Sequence, residues 1–155
     1  MGRLLTLAFL AVLPMLAWGE GYVCVPDMGV GLRYSLGTWQ EGRLTPDASM
    51  KFVVRRPKEI DGTGVSEAEV IAGALGIPHT KWIVEMPSTR STVAACPEDF
   101  DSGGRLICHR AEGEFRFNKN SLRFLHVYLG AYWDSTSDKE SDQPITLAIG
   151  KCSPM

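Results

Sequence analysis

The sequence lacks a dominant charge, because 16 Lys and Arg residues stand against 18 Asp and Glu in a chain of 155 residues. Residues 20–155 exclude only Arg3 from these counts, so 15 − 18 gives a net charge of −3. A protein that binds nucleic acid or an anionic membrane through its overall field needs a clear positive excess. The composition therefore predicts no nucleic-acid partner.

No apolar run in the sequence reaches the length of about 20 residues that a bilayer-spanning helix needs. The longest run, Leu4–Leu16, is followed by Ala17 and Gly19, two small residues with the spacing that a signal peptidase recognises. This pattern predicts a signal peptide over 1–19 and one secreted or periplasmic domain over 20–155. A buried amino-terminal helix is the alternative. We expect no stable membrane insertion after cleavage.

Motifs of established catalytic chemistry are also missing. The sequence has no G-x-S-x-G, no H-E-x-x-H and no phosphate-binding glycine loop. It has no C-x-x-C pair, so we expect no metal site, and nothing in it implies a cofactor. His109 and His126 lie in predicted strands. A protein without enzymatic activity is the favoured interpretation, and a small hydrolase that uses one of these histidines is an alternative.

Four cysteines are present, and an even number in an exported chain predicts two disulfide bonds. Four cysteines allow three pairings. We favour Cys96–Cys108, which closes a short local loop, together with Cys24–Cys152. The second bond requires the first and last strands to be neighbours, as they are in a sheet that closes on itself and hides its edges.

Short segments rich in β-branched and aromatic residues, separated by Gly, Pro and Asp, predict strands. The predicted strands are 22–25, 32–35, 38–40, 50–56, 81–86, 105–110, 114–118, 122–130 and 145–152. A capping box at Ser66 and Glu69 and a terminal Gly76 predict one helix over 66–76. The expected fold is mainly β: a small antiparallel β-sandwich or barrel-like sheet with one short helix and two disulfides.

Two predicted strands alternate apolar and polar residues. Phe115 and Phe117 share one face of 114–118, so we expect them in the core and Arg116 in water. This pattern favours a solvated face over a stacking platform for nucleic acid. In 145–152, a second set of apolar residues alternates with Thr and Ala, which indicates another strand with one apolar face.

Aromatic residues supply the candidate binding site. Tyr132 and Trp133 precede an acidic segment at 134–144 that we expect to be a loop, and Trp39 lies in a predicted hairpin. Exposed Tyr and Trp are favoured anchors for binding partners. These three residues are therefore the predicted binding residues.

The pattern from Cys108 to Pro154 resembles a group of small exported proteobacterial proteins that are largely uncharacterised. The residues that carry the resemblance are Cys108, Phe115-Arg116-Phe117-Asn118, Leu122-Arg123-Phe124, Tyr128, Gly130, Asp142, Pro144-Ile145 and Ile149-Gly150-Lys151-Cys152-Ser153-Pro154, with Cys24-Val25-Pro26-Asp27, Gly31 and Trp39 matching more loosely. Relative to that group, 58–78 is an insertion. The resemblance implies export, β-structure and disulfides, and it implies no catalytic residue.

These observations together predict a non-catalytic binding module for an envelope or extracellular protein or glycan. The alternatives are a periplasmic inhibitor of a cell-wall hydrolase, which rests on analogy with other small disulfide-bonded β-proteins, and the hydrolase with a strand histidine. A pocket that brings a histidine within hydrogen-bond reach of a hydroxyl and a carboxylate would favour the hydrolase.

Overall fold

The computed structural model describes residues 20–46, 50–60, 65–110, 112–130 and 145–155, and the predicted signal peptide lies outside these ranges. No helix within them has the length and apolar character to cross a membrane. The described elements, in chain order, are β1 (Gly21–Ser35), β2 (Thr38–Leu44), β3 (Phe52–Arg55), α1 (Glu67–Leu75), β4 (Trp82–Met86), β5 (Ser91–Cys96), β6 (Arg105–Arg110), β7 (Gly113–Asn118), β8 (Arg123–Tyr128) and β9 (Ile145–Pro154).

Eight of these strands form a closed antiparallel barrel, and β2 is an additional strand. From β3 to β9 each strand pairs with the next one along the chain, and β1 pairs with both β3 and β9. The extra strand β2 pairs with 29–35 of β1 through a tight hairpin turn at Leu36 and Gly37, both of which have positive φ. The predicted β-fold is therefore confirmed in its barrel-like form.

A disulfide bond joins the strands at which the barrel closes. Cys24 of β1 lies directly opposite Cys152 of β9, and their sulfur atoms are bonded. Both side chains are buried inside the barrel. The predicted pairing of these two cysteines, and the neighbouring first and last strands that it required, are confirmed.

The second disulfide bond links β5 and β6, where the ladder is shortest. Only Ala95 and His109 are registered partners between these two strands. The next position along the ladder is occupied by Cys96 and Cys108, which are bonded and fully buried. This bond, which was also predicted, therefore reinforces the part of the barrel wall with the fewest backbone contacts.

Aromatic side chains fill most of the barrel interior. Phe115 and Phe117 point inward and are buried, as predicted, while Arg116 between them is exposed and forms an ion pair with Glu114. Phe115 stacks on Phe124 with 5.2 Å between the ring centroids. The buried cluster consists of Cys24, Phe52, Val54, Trp82, Val84, Val93, Ala94, Cys96, Leu106, Cys108, Phe115, Phe117, Phe124 and Cys152.

The helix α1 is capped as predicted. The Ser66 hydroxyl accepts a hydrogen bond from the Glu69 backbone N–H, the Glu69 carboxylate accepts one from the Ser66 N–H, and Gly76 ends the helix in the left-handed conformation. An ion-pair network connects this helix to the outside of the barrel, because Arg55 of β3 donates hydrogen bonds of 2.6 to 2.8 Å to both Glu67 and Glu85. Donation from Arg55 lowers the pKa of Glu67 below its ordinary value.

One strand prediction was wrong, and one strand was not predicted. The first strand was expected to end at Pro26-Asp27, but β1 continues to Ser35 through an irregularity between Pro26 and Met28. Proline lacks an N–H to donate, and a bulge is one of the few places in a sheet that accommodates it. The strand β5 was not predicted, because Ala94 and Ala95 carry little β-propensity.

The apolar residues of β9 face away from the core. Leu147 and Ile149 are each 40% exposed, whereas Thr146 and Ala148 face the interior. An alternating strand normally buries its larger apolar side chains. In β9 the small side chains face inward at one end of the barrel, which leaves space there that the core does not fill.

We expect that replacing Cys96 and Cys108 together by Ala lowers the free energy of unfolding by about 3 kcal/mol, the chain-entropy value for a loop of this size. The destabilisation should be greatest in β5 and β6, because only one registered pair joins these two strands. In the variant that keeps the Cys24–Cys152 bond, amide hydrogen exchange should increase first in β5 and β6 while the β1–β9 ladder stays protected. Equal loss of protection in both ladders would contradict this account.

Candidate functional site

One end of the barrel, here called the open end, contains a cavity of about 340 Å³. Every barrel strand except β7 contributes to its wall, so the cavity is a continuation of the barrel interior. The described lining residues are Pro26, Gly29, Pro46, Met50, Phe52, Met86, Thr89, Ser91, Val93, Arg110, His126, Tyr128, Thr146 and Ala148.

The cavity exists because small residues occupy the inward positions near the open end. Gly29 of β1 pairs directly with Ala148 of β9, so neither strand projects a large side chain into the barrel at that level. One level deeper, Phe52 is buried and its ring closes the floor of the cavity. The transition from Phe to Gly and Ala along the barrel axis therefore sets the depth of the cavity.

His126 lies in the wall beside this floor. Its ring is 5.0 Å from the Phe52 ring and 6.2 Å from the Phe115 ring, measured between centroids. Burial among these groups lowers the pKa of His126 to about 4, with a smaller contribution from the positive charge of Arg110. The imidazole is therefore neutral at neutral pH, and no described residue forms a hydrogen bond with it.

Arg110 carries the one cationic side chain among the described lining residues, since a guanidinium is always charged in proteins. Its Nε lies 2.7 Å from a carboxylate oxygen of Glu112, which is not a lining residue. Its guanidinium carbon lies 6.0 Å from the centre of the Tyr128 ring, at the outer limit of a cation–π contact. The site thus combines an apolar cavity with a single cation.

The opposite end of the barrel carries polar and aromatic groups around a second cavity of about 470 Å³. The Trp82 indole N–H donates a 2.9 Å hydrogen bond to Asp99, and Arg56 lies over the Trp82 ring and 3.2 Å from the same carboxylate. The hydrogen bond from Trp82 is the main cause that lowers the pKa of Asp99 to about 2. Because these charged groups pair with one another, the cavity at this end is more polar than the one at the open end.

Of the three predicted binding residues, Trp39 alone lies in the described ranges, and it does not line this cavity. Trp39 lies on β2, where its ring contacts Tyr34 edge-on at 5.5 Å, and it is not among the residues that line the cavity. Tyr132 and Trp133 lie in a part of the chain that the structure does not describe. The binding role of all three stays a prediction.

The geometry gives the hydrolase hypothesis a histidine in a pocket, but no partner for it among the residues that the structure describes. The described lining residues include no Asp or Glu. The other strand histidine, His109, has its Nδ1 3.9 Å from Glu114 on the exposed outer face. In the described ranges, no three His, Cys, Asp or Glu side chains are grouped as a metal site would require.

Sequence reasoning missed Arg110 and the floor residue Phe52 as parts of a site. It identified His126, but as a possible catalytic base. A usable signal was present in β9, where Thr146 and Ala148 alternate with larger apolar residues, because small side chains can mark an interior that is not completely filled.

Protein-family models, curated proteins and solved structures were compared with this chain, and none matches it. The resemblance to the exported proteobacterial group stays a prediction.

Burial of a neutral His126 predicts a specific loss of stability in acid. Between about pH 6.5 and pH 4, His126 is protonated in the unfolded chain but stays neutral in the folded protein. The free energy of unfolding therefore falls as the pH decreases through this window. Denaturant titrations across this range should show the loss, of about 2 to 3 kcal/mol, in the native protein. His126→Gln should show a smaller loss, and equal pH dependence of the two proteins would rule out this role of the imidazole.

Proposed function

We propose that the protein is a non-catalytic binding module that takes the apolar part of a small molecule into the open end of its barrel. The observation that carries this proposal is the cavity of about 340 Å³, whose exposed wall is mainly apolar. Small-molecule sites have typical volumes of about 300 to 1,000 Å³ and the same kind of lining.

The architecture supports the proposal on independent grounds. An eight-stranded barrel has an interior that either is filled by its own side chains or accommodates one small ligand. Here Phe115 and Phe124 fill the middle of the barrel, and Gly29 and Ala148 leave the open end unfilled. An apolar ligand would be stabilised by removing both its own surface and the cavity wall from water.

We further propose that binding takes place outside the cytoplasm. Two disulfide bonds are compatible with an extracytoplasmic protein, since such bonds form and persist in oxidising compartments. The apolar run before Ala17 supports export to the periplasm or the medium. A contact with an envelope protein or glycan through Tyr132 and Trp133 is a separate prediction, which the cavity neither needs nor replaces.

The proposal predicts that filling the cavity abolishes binding of an apolar probe. The fluorescence of N-phenyl-1-naphthylamine, a neutral probe, should increase and shift to the blue when it is added to the native protein. In Ala148→Phe the new ring would occupy the space beside Gly29 and His126. We expect the affinity for the probe to fall at least about tenfold, which corresponds to about 1.4 kcal/mol.

The matched control is Ile149→Phe, one residue further along β9. Ile149 faces outward and is 40% exposed, so this variant adds an aromatic ring without entering the cavity. It should bind the probe like the native protein. If the two variants lose binding equally, or if the native protein does not bind the probe, the cavity is not the binding site.

A further inference from the structure

We propose that the open end selects a medium-chain carboxylate, with the chain in the apolar cavity and the carboxylate on the guanidinium of Arg110. This inference rests on the proposed function and adds the chemical class of the ligand.

The charge of the cavity favours an anion. Arg110 supplies a positive charge, and no described residue of the lining is acidic. Bringing a cation next to a dry apolar volume has a free-energy cost that an anion in the same volume reduces. A cationic ligand would meet like charge, and a neutral one would leave the guanidinium without a new partner.

The ion pair with Glu112 leaves part of the guanidinium available. Glu112 Oε2 lies 2.7 Å from Nε of Arg110, yet this buried oxygen makes no hydrogen bond within the described part of the chain. A guanidinium carries five N–H donors, and no described residue accepts a hydrogen bond from its Nη atoms. The side chain is 35% exposed and lines the cavity, so these donors are accessible to a ligand.

The chemistry of these donors matches a carboxylate. Arginine presents its N–H groups as a planar fork that binds both oxygens of a carboxylate at once. His126 lies next to this position and is neutral, so its ring N–H is a further donor for an oxygen of the same group. Arg110 lines the cavity and is also 35% exposed. A carboxylate bound to it would stay in contact with water, so one cation is enough to hold it.

The size of the cavity limits the length of the chain. A volume of about 340 Å³ equals roughly eleven water volumes of about 30 Å³ each. A methylene group occupies a space similar to that of a water molecule, so the cavity accommodates roughly ten non-hydrogen atoms. The apolar wall formed by Met50, Phe52, Met86 and Val93 has no feature that requires an aromatic ligand.

The test is a competition experiment with three ligands of equal chain length. Decanoate, 1-decanol and decylamine are each titrated against N-phenyl-1-naphthylamine bound to the native protein at neutral pH. We expect decanoate to displace the probe at a concentration at least about tenfold lower than 1-decanol does, as a charge-assisted bidentate contact warrants. Decylamine should be the weakest of the three.

Variants then locate the carboxylate. Arg110→Gln should remove the advantage of decanoate over 1-decanol while binding of 1-decanol stays the same. Arg123→Gln is the matched control, because it removes one positive charge from an exposed position that does not line the cavity. This control should keep the preference for decanoate. Retention of the preference in Arg110→Gln would overturn the inference.

A measurement on the native protein tests the same contact without depending on the folding of a variant. In an NMR titration with decanoate, the side-chain Nε–Hε resonance of Arg110 should shift more than that of Arg123, and 1-decanol should not reproduce the shift. Equal displacement by decanoate and 1-decanol, or stronger displacement by decylamine, would refute the ligand class and leave the proposed function intact. If neither the probe nor any of the three ligands binds, both proposals fail.

Discussion

Backbone pairing between β1 and β9 joins the two ends of the sheet, and the bond between Cys24 and Cys152 fixes the register of that pairing. Without the pairing of β1 with β9 the sheet would have two free edges, and its inward face would be exposed to water. Closure places Phe115 and Phe124 in a dry interior, and it also brings residues from strands distant in sequence around one cavity. The candidate site is thus a consequence of the same contacts that form the fold.

The two ends of the barrel differ because their inward side chains differ in size and polarity. At the end opposite the open end, Trp82, Asp99 and Arg56 pair with one another around a second, more polar cavity. At the open end, the neighbouring residues Gly29 and Ala148 are too small to fill the interior. The volume that remains is apolar, so water gains little from occupying it, and a ligand with an apolar chain gains more.

Much of the fold could be predicted from local patterns. The alternation around Phe115 and the capping box at Ser66 each depend on a few neighbouring residues, and both predictions were confirmed. The bond between Cys24 and Cys152, which are 128 residues apart, was predicted from closure of the sheet and is also confirmed. The cavity could not be predicted in this way, because it depends on which face of β9 points inward. The alternation in β9 indicates a strand with one apolar face, and closure of the barrel turns Leu147 and Ile149 outward and places Ala148 inside. The residues that line the interior of a barrel can therefore be predicted only when the register of its strands is known.

The most direct test of this account is to observe which face of β9 touches a bound apolar molecule. Intermolecular nuclear Overhauser effects between N-phenyl-1-naphthylamine and protein methyl groups distinguish the inward Ala148 from the outward Leu147 and Ile149. The account predicts contacts to Ala148 and to Val93 across the cavity, and none to the two outward residues. Contacts confined to Leu147 and Ile149 would contradict it and place binding on the outer surface of the barrel.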